Sequence, residues 1–137
     1  MRRIVLVAVA ILAVVGVVVW LGAPQVANPG KGAAMIQVQV PSLSTIGAQG
    51  QKLFEKNCAD CHGNKASGQK GVAPPLIHKV YKPSHHADIS FQRAAKFGVR
   101  AHHWPFGNMP PVEGVTSAEV DKITVFIREV QRANGIK

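Results

Sequence analysis

The sequence predicts an all-α domain over residues 44–137, with three to four helices joined by long loops. Three segments have residues typical of helix starts and ends, and the prolines fall outside these segments. Residues 35–40 alternate apolar and polar side chains and could form a short strand, but no second segment offers itself as a pairing partner. We therefore expect no sheet.

The first helix is predicted to begin after a cap at Ser44 or Thr45 and to end near Asn57. Both cap candidates have a side-chain oxygen that can accept a hydrogen bond from a free backbone N–H of the first turn. Leu53 and Phe54 would form the inner face of this helix. The helix ends directly before Cys58, the first of the two cysteines in the chain.

A middle helix is predicted from a cap at Asp88 or Ser90 through Phe97. Gly98 follows directly, and a glycine at this position favours the left-handed backbone that often ends a helix.

The final helix has the clearest start signal in the chain. Thr116 and Glu119 form a capping box, in which each side chain can bond to the backbone N–H of the other residue. The helix is predicted to run to about Arg132 and to be stopped by Asn134 and Gly135. Its apolar face consists of Val120, Ile123, Val125, Phe126, Ile127 and Val130.

Residues 1–23 are predicted to be a transmembrane anchor. Arg2 and Arg3 precede residues 4–22, which contain no charge and would span about 28 Å as a helix, close to the thickness of a bilayer core. By the positive-inside rule this places the remainder of the chain in the periplasm of a bacterium, attached to the cytoplasmic membrane. A cleaved signal peptide is the alternative, but no typical cleavage site follows. Residues 24–43, rich in Gly, Pro, Ala and Gln, are predicted to be a flexible tether.

Residues 58–62 read Cys58-Ala59-Asp60-Cys61-His62, and these are the only cysteines in the chain. A C-x-x-C-H motif is typical of covalent haem attachment: the two thiols add to the haem vinyl groups and the histidine binds the iron. A thioredoxin-like pair would require a βαβ setting, which the Gly/Pro/His-rich downstream sequence does not offer. A zinc site would require further ligands at finger spacing. The motif therefore predicts one haem c, with His62 as an axial iron ligand.

Met109 is the predicted second axial ligand. Met1 lies in the predicted anchor and Met35 in the predicted tether, whereas Met109 precedes two prolines in a loop and is not at helical spacing. A thioether ligand favours ferrous iron and raises the reduction potential. A histidine is the alternative ligand, and the candidates are His78, His85, His86, His102 and His103.

The order and spacing of several motifs resemble those of class I c-type cytochromes over residues 44–132. The motifs are Gly50-x-x-Leu53-Phe54, the Cys58–Gly63 segment, Ala73-Pro74-Pro75-Leu76, Met109-Pro110 and a C-terminal amphipathic helix with Phe126. The resemblance implies a cytochrome c fold, in which helices and loops wrap around one covalent haem. It implies that the Pro74 carbonyl accepts a hydrogen bond from the proximal histidine and that Leu76 contacts the haem.

The resemblance also implies that the first and last helices cross at Gly50, with Phe54 and Phe126 packing beside the crossing. The family usually has Tyr or Trp at the Phe126 position, so the ring is kept here without its polar group. Trp104 is a candidate porphyrin contact or propionate donor, and Tyr81 is another. Arg100 is a candidate partner of a haem propionate, because a charged haem edge favours a cation.

These observations predict a single-electron carrier rather than an enzyme. A haem enzyme or sensor in which Met109 is displaced is one alternative. A copper-binding accessory protein using the histidine pairs at 85–86 and 102–103 is another, since imidazole suits copper. The net charge of +9 favours acidic redox partners, such as an oxidase, a dehydrogenase or a cytochrome complex. Nucleic acid is disfavoured by the predicted export. The lysines nearest the cysteine motif are Lys52, Lys56, Lys65 and Lys70.

Overall fold

The computed structural model describes residues 32–137, so the predicted anchor and residues 24–31 of the predicted tether lie outside the described part. The described residues contain four α-helices: α1 at Thr45–Asn57, α2 at Ala59–His62, α3 at Asp88–Phe97 and α4 at Ser117–Ala133. Two 3-10 turns lie between α2 and α3, at Asn64–Ala66 and Lys79–Tyr81. Within residues 32–137 there are three isolated β-bridges and no strand. The predicted all-α class is therefore confirmed.

None of the helices between residues 32 and 137 combines the length and the apolar character that crossing a bilayer requires.

Helix α1 begins where the sequence predicts. Ser44 is its cap, and the Ser44 hydroxyl oxygen accepts a hydrogen bond of 3.0 Å from the Gly47 N–H. The same hydroxyl donates to the Glu129 carboxylate of α4 at 2.6 Å, so the cap also ties the two helices together. Phe54 is fully buried on the inner face, and Leu53 is partly buried beside it.

Helices α1 and α4 cross in direct backbone contact. A Cβ atom at Gly50 would overlap the Lys122 carbonyl, so only glycine allows this approach. The Phe54 and Phe126 rings pack beside the crossing with centroids 5.5 Å apart and planes inclined by 47°. This tilted geometry is favourable for two aromatic rings. The crossing that the resemblance implied is therefore present.

Helix α3 has the predicted length but not the predicted cap. Its N-cap residue is Ala87, which makes no side-chain capping bond, so the proposed caps at Asp88 and Ser90 were wrong. The Asp88 carboxylate instead accepts a 2.7 Å hydrogen bond from Arg128 of α4. A charged guanidinium is a stronger donor than a backbone N–H, which accounts for the difference. Gly98 ends the helix with a φ of 72°.

Helix α4 has the predicted capping box, with Thr116 and Glu119 each bonded to the backbone of the other. Five of the six predicted apolar residues are buried and Val125 is partly buried. Three polar side chains, Thr124, Arg128 and Gln131, are buried with them. The sequence did not predict that these three polar residues would be buried.

Residues 35–40 form no strand, yet their alternation still determines which side chains face inward. Ile36, Val38 and Val40 are partly buried against the core, as is Leu43. The backbone N–H and carbonyl of Gln39 bond to the Asn134 side chain at 3.1 and 2.7 Å. The described part of the predicted tether therefore lies against the helical domain.

Candidate functional site

A cavity of about 620 Å³ lies in the centre of the domain, and its lining is mostly apolar. Its walls come from the end of α1, from α2, from α3 and the loops on either side of it, and from α4. The volume lies within the range of known ligand and cofactor cavities. All eight site residues predicted from the sequence line it: Cys58, Cys61, His62, Pro74, Leu76, Arg100, Trp104 and Met109.

The cysteine motif is one turn of helix. Cys58 ends α1 and α2 follows at once, with the His62 N–H bonded to the Cys58 carbonyl at 2.9 Å. Helical spacing places Cys58, Cys61 and His62 on the same face, since they are three and four residues apart. The two cysteines form no disulfide with each other. Burial, followed by the neighbouring Cys61, raises the pKa of the Cys58 thiol to about 11, so before covalent attachment this group is protonated at neutral pH.

The His62 imidazole is oriented by a backbone carbonyl. Its Nδ1 atom lies 2.9 Å from the Pro74 carbonyl oxygen, to which the Nδ1–H donates. The Nε2 nitrogen is then the one with a free lone pair, the arrangement typical of a metal-binding histidine. Burial lowers the pKa of His62, and the bond to Pro74 partly offsets this effect, so the neutral ring is favoured. The proline segment is fixed in turn by a 2.9 Å bond from the Leu76 N–H to the Ala66 carbonyl.

Met109 is held at the base of a closed loop. Its N–H and carbonyl both bond to Val99, each at 2.9 Å, so residues 100–108 form a loop whose two ends are joined. Gly98 has a positive φ, and a Cβ atom there would overlap the Met109 carbonyl. The Asn108 side chain accepts a 2.9 Å bond from the Ala101 N–H within the loop. These contacts fix the backbone at Met109 next to the cavity.

Trp104 presents an unsatisfied donor. Its indole N–H is buried and has no hydrogen-bond partner among the described residues, although it lies near Tyr81. Burial raises the pKa of Tyr81. Arg100 is exposed at the edge of the same cavity and makes no ion pair with another described residue. A buried donor without a partner indicates an acceptor group in the cavity. A carboxylate could accept a hydrogen bond from the Trp104 N–H and pair with the Arg100 guanidinium.

The donor set fits a covalently attached haem. The cavity offers two thiols, an imidazole with a free nitrogen, a thioether, and an unmet N–H with a cation nearby for carboxylates. Residues 47–131 match the family model described as Cytochrome c. The chain belongs to the cytochrome c family. Members of this family carry covalently bound haem c, and this cytochrome domain therefore contains one. The Cys58–His62 segment has the residues that such attachment requires. No curated protein and no solved structure matches the chain.

Arg128 is the main feature of this cytochrome domain that the sequence did not reveal. It is 7% exposed, and its guanidinium donates to the Tyr81 carbonyl at 2.6 Å and to the Gln131 side chain at 2.7 Å, besides Asp88. It also donates to the His86 carbonyl. These bonds hold residues 81–88 against α4. Its position in the sequence was the available signal for its burial. Arg128 follows Val120 and Thr124 at intervals of four residues, so all three lie on the same face of the helix.

Four histidines meet at the rim of the cavity. The 81–88 segment brings His85 and His86, and the Met109 loop brings His102 and His103. Local desolvation, followed by the neighbouring imidazoles, lowers the pKa of His103 and favours its neutral form. His78 is separate, because its ring packs edge-on against Trp104 and its Nδ1 accepts from the Val80 N–H. His86, His102 and His103 also line the cavity.

Proposed function

We propose that this protein is a single-electron carrier whose haem iron is bound by His62 and Met109. The observation that supports it most is the fixation of both residues at one cavity. His62 is tied to the Pro74 carbonyl, and Met109 is tied by two bonds to Val99. Ligands that are fixed before the reaction stay in place when the iron changes oxidation state. Little rearrangement then accompanies electron transfer.

Met109 is favoured over the other methionines by position. Met35 packs near Gly68 and does not line the cavity, and Met1 lies outside the described residues. Bound haem supplies the redox-active iron, and a thioether ligand raises its potential relative to a second imidazole. The two backbone hydrogen bonds between Val99 and Met109 hold the Met109 backbone in place, which opposes displacement of the thioether from the iron. A retained sixth ligand favours a carrier over an enzyme or sensor.

Met109→Ala tests this proposal. We expect the wild-type ferric protein to be low-spin and to resist cyanide, and the variant to be high-spin, to bind cyanide readily and to have a lower reduction potential. Absorption spectra and a potentiometric titration measure these properties. Met35→Ala is the matched control, since it removes a methionine outside the cavity lining, and its spectrum should equal that of the wild type.

Two results would contradict the proposal in different ways. A Met109→Ala spectrum identical to that of the wild type would indicate that a histidine, such as His86, His102 or His103, is the sixth ligand. A high-spin wild-type protein that binds carbon monoxide or cyanide at once would indicate a haem enzyme or sensor.

The proposal extends to partners and location. Lys52, Lys56, Lys65 and Lys70 are exposed and flank the cysteine motif, so they would attract an acidic redox protein to this face. Residues 4–22 would anchor the chain in the bacterial cytoplasmic membrane, with the haem domain in the periplasm. Support for this location comes from the charge-free length of that segment and from the two arginines before it.

A further inference from the structure

Three histidines at the cavity rim converge without any role in the proposed electron carrier. Nitrogen atoms of His85, His86 and His103 all lie within 4.8 Å of one another. His85 Nε2 and His103 Nε2 are 3.3 Å apart. His85 and His103 are exposed, and His86 is partly buried between them and Tyr81. The cluster is therefore open to solvent on one side.

The spacing suits one metal ion. Two nitrogens bound at ~2.0–2.1 Å to a tetrahedral metal are about 3.4 Å apart. The His85–His103 distance already has this value. A hydrogen bond between these two rings would account for one distance but not for the approach of His86. Small rotations of exposed imidazoles close the remaining gap, because their side chains are not packed in the core.

The ring of His86 is oriented as a metal ligand requires. Its Nδ1 lies 2.7 Å from the Val80 carbonyl oxygen, to which the Nδ1–H donates, so Nε2 is left free. Metal-binding histidines usually donate their other N–H to a carbonyl or carboxylate in this way. The backbone carbonyl of His86 is itself held by the buried Arg128. One ligand is thus fixed by two backbone contacts.

The second loop is fixed in a similar manner. The His102 Nδ1–H donates to the Arg100 carbonyl at 2.8 Å, and the His102 ring packs against His103 with centroids 4.2 Å apart. His102 therefore packs directly against the ring of His103. The loop base is closed by the Val99–Met109 pair. Two segments that are far apart in the sequence are thus held with their imidazoles facing each other.

We propose that His85, His86 and His103 bind a divalent transition-metal cation of the Zn²⁺ and Cu²⁺ class at the rim of the haem cavity. Three imidazoles are a recurring ligand set for these ions, and the fourth position remains open to water or a small anion. The ligands are neutral, so the bound ion keeps its full charge. The site uses neither His62 nor Met109, the two residues proposed to bind the haem iron.

The experiment is a calorimetric titration of the haem-loaded, full-length protein without a histidine tag, using ZnCl₂. We expect one Zn²⁺ per chain. His85→Ala and His103→Ala should each weaken binding by at least about tenfold, because each removes a ligand at an exposed position. The double variant should bind no stoichiometric Zn²⁺. CuCl₂ as a second probe should bind more tightly than ZnCl₂.

His78→Asn is the matched control. It removes a neighbouring imidazole outside the cluster and keeps a side-chain acceptor for the Val80 N–H, so Zn²⁺ binding should equal that of the wild type. An unchanged haem spectrum in every variant shows that the fold is intact. The proposal is overturned if the wild type binds neither ion stoichiometrically, or if the double variant binds as the wild type does. Since this test measures metal uptake and the Met109 test measures the haem spectrum, the two proposals fail separately.

Discussion

Glu119 shows how one side chain makes stability depend on pH. Its carboxylate accepts bonds of 2.8 Å from both the N–H and the hydroxyl of Thr116. The Thr116 backbone N–H, followed by its hydroxyl, lowers the pKa of Glu119, and Lys56 and Lys122 add to the effect. The folded state therefore favours the ionised group. Its contribution is complete above the ordinary glutamate pKa and is lost as the pH falls through the lower folded-state value.

Glu119→Gln should flatten the acid dependence of stability. Between about pH 5 and about pH 3, the unfolding temperature of the wild type should fall more than that of the variant, because only the wild type takes up a proton here. Thermal unfolding followed by circular dichroism measures both slopes. Glu113→Gln is the control, since the Glu113 side chain makes no hydrogen bond with the described residues. A Glu119→Gln slope equal to that of the wild type would contradict the prediction.

Helix α4 holds the middle of the chain through its buried polar residues. Arg128 bonds to the Tyr81 and His86 carbonyls, and Gln131 donates to the Leu76 carbonyl at 2.9 Å. The guanidinium also lies over the Phe91 ring, 5.0 Å from its centroid. This helix therefore stabilises one wall of the cavity.

Arg128→Met should lower the free energy of unfolding by about 3 kcal/mol, because it leaves buried acceptors without their charged donor. Urea denaturation of the haem-loaded protein measures this loss. Arg132→Met, on the exposed side of the same helix, should stay within about 0.5 kcal/mol of the wild type. Equal losses in the two variants would rule out a specific role for Arg128.

Local signals predicted the elements well, and contacts between distant residues account for the errors. Ser44 and the Thr116–Glu119 box cap their helices because a cap bonds to its own first turn. Asp88 failed as a cap because its partner, Arg128, lies on another helix. The sequence motifs also identified site residues that all line one cavity in the structure. They did not reveal Arg128, since a buried arginine is recognised only when its acceptors are known.

The whole molecule is strongly basic, and four exposed lysines flank the Cys58–His62 motif in the sequence. Electron transfer to an anionic oxidant should therefore slow by about tenfold or more between low and physiological ionic strength. Stopped-flow oxidation of the reduced protein by hexacyanoferrate measures the rate. Lys52→Glu should lower the rate at low salt more than Lys137→Glu, which is distant in sequence from the motif. A rate that is independent of salt would contradict this electrostatic attraction.

Helix α4, which closes the fold against α1, follows the other described helices in the chain and is synthesised after them. The crossing at Gly50 and the bonds from Arg128 cannot form until residues 117–133 exist, whereas Cys58 and Cys61 appear much earlier in synthesis. Both thiols therefore spend an interval in an open chain, where a reactive partner can reach them. Once α4 packs on α1, Cys58 is partly buried, whereas Cys61 stays exposed. The order of synthesis therefore leaves Cys58 easier to reach before the domain closes than afterwards.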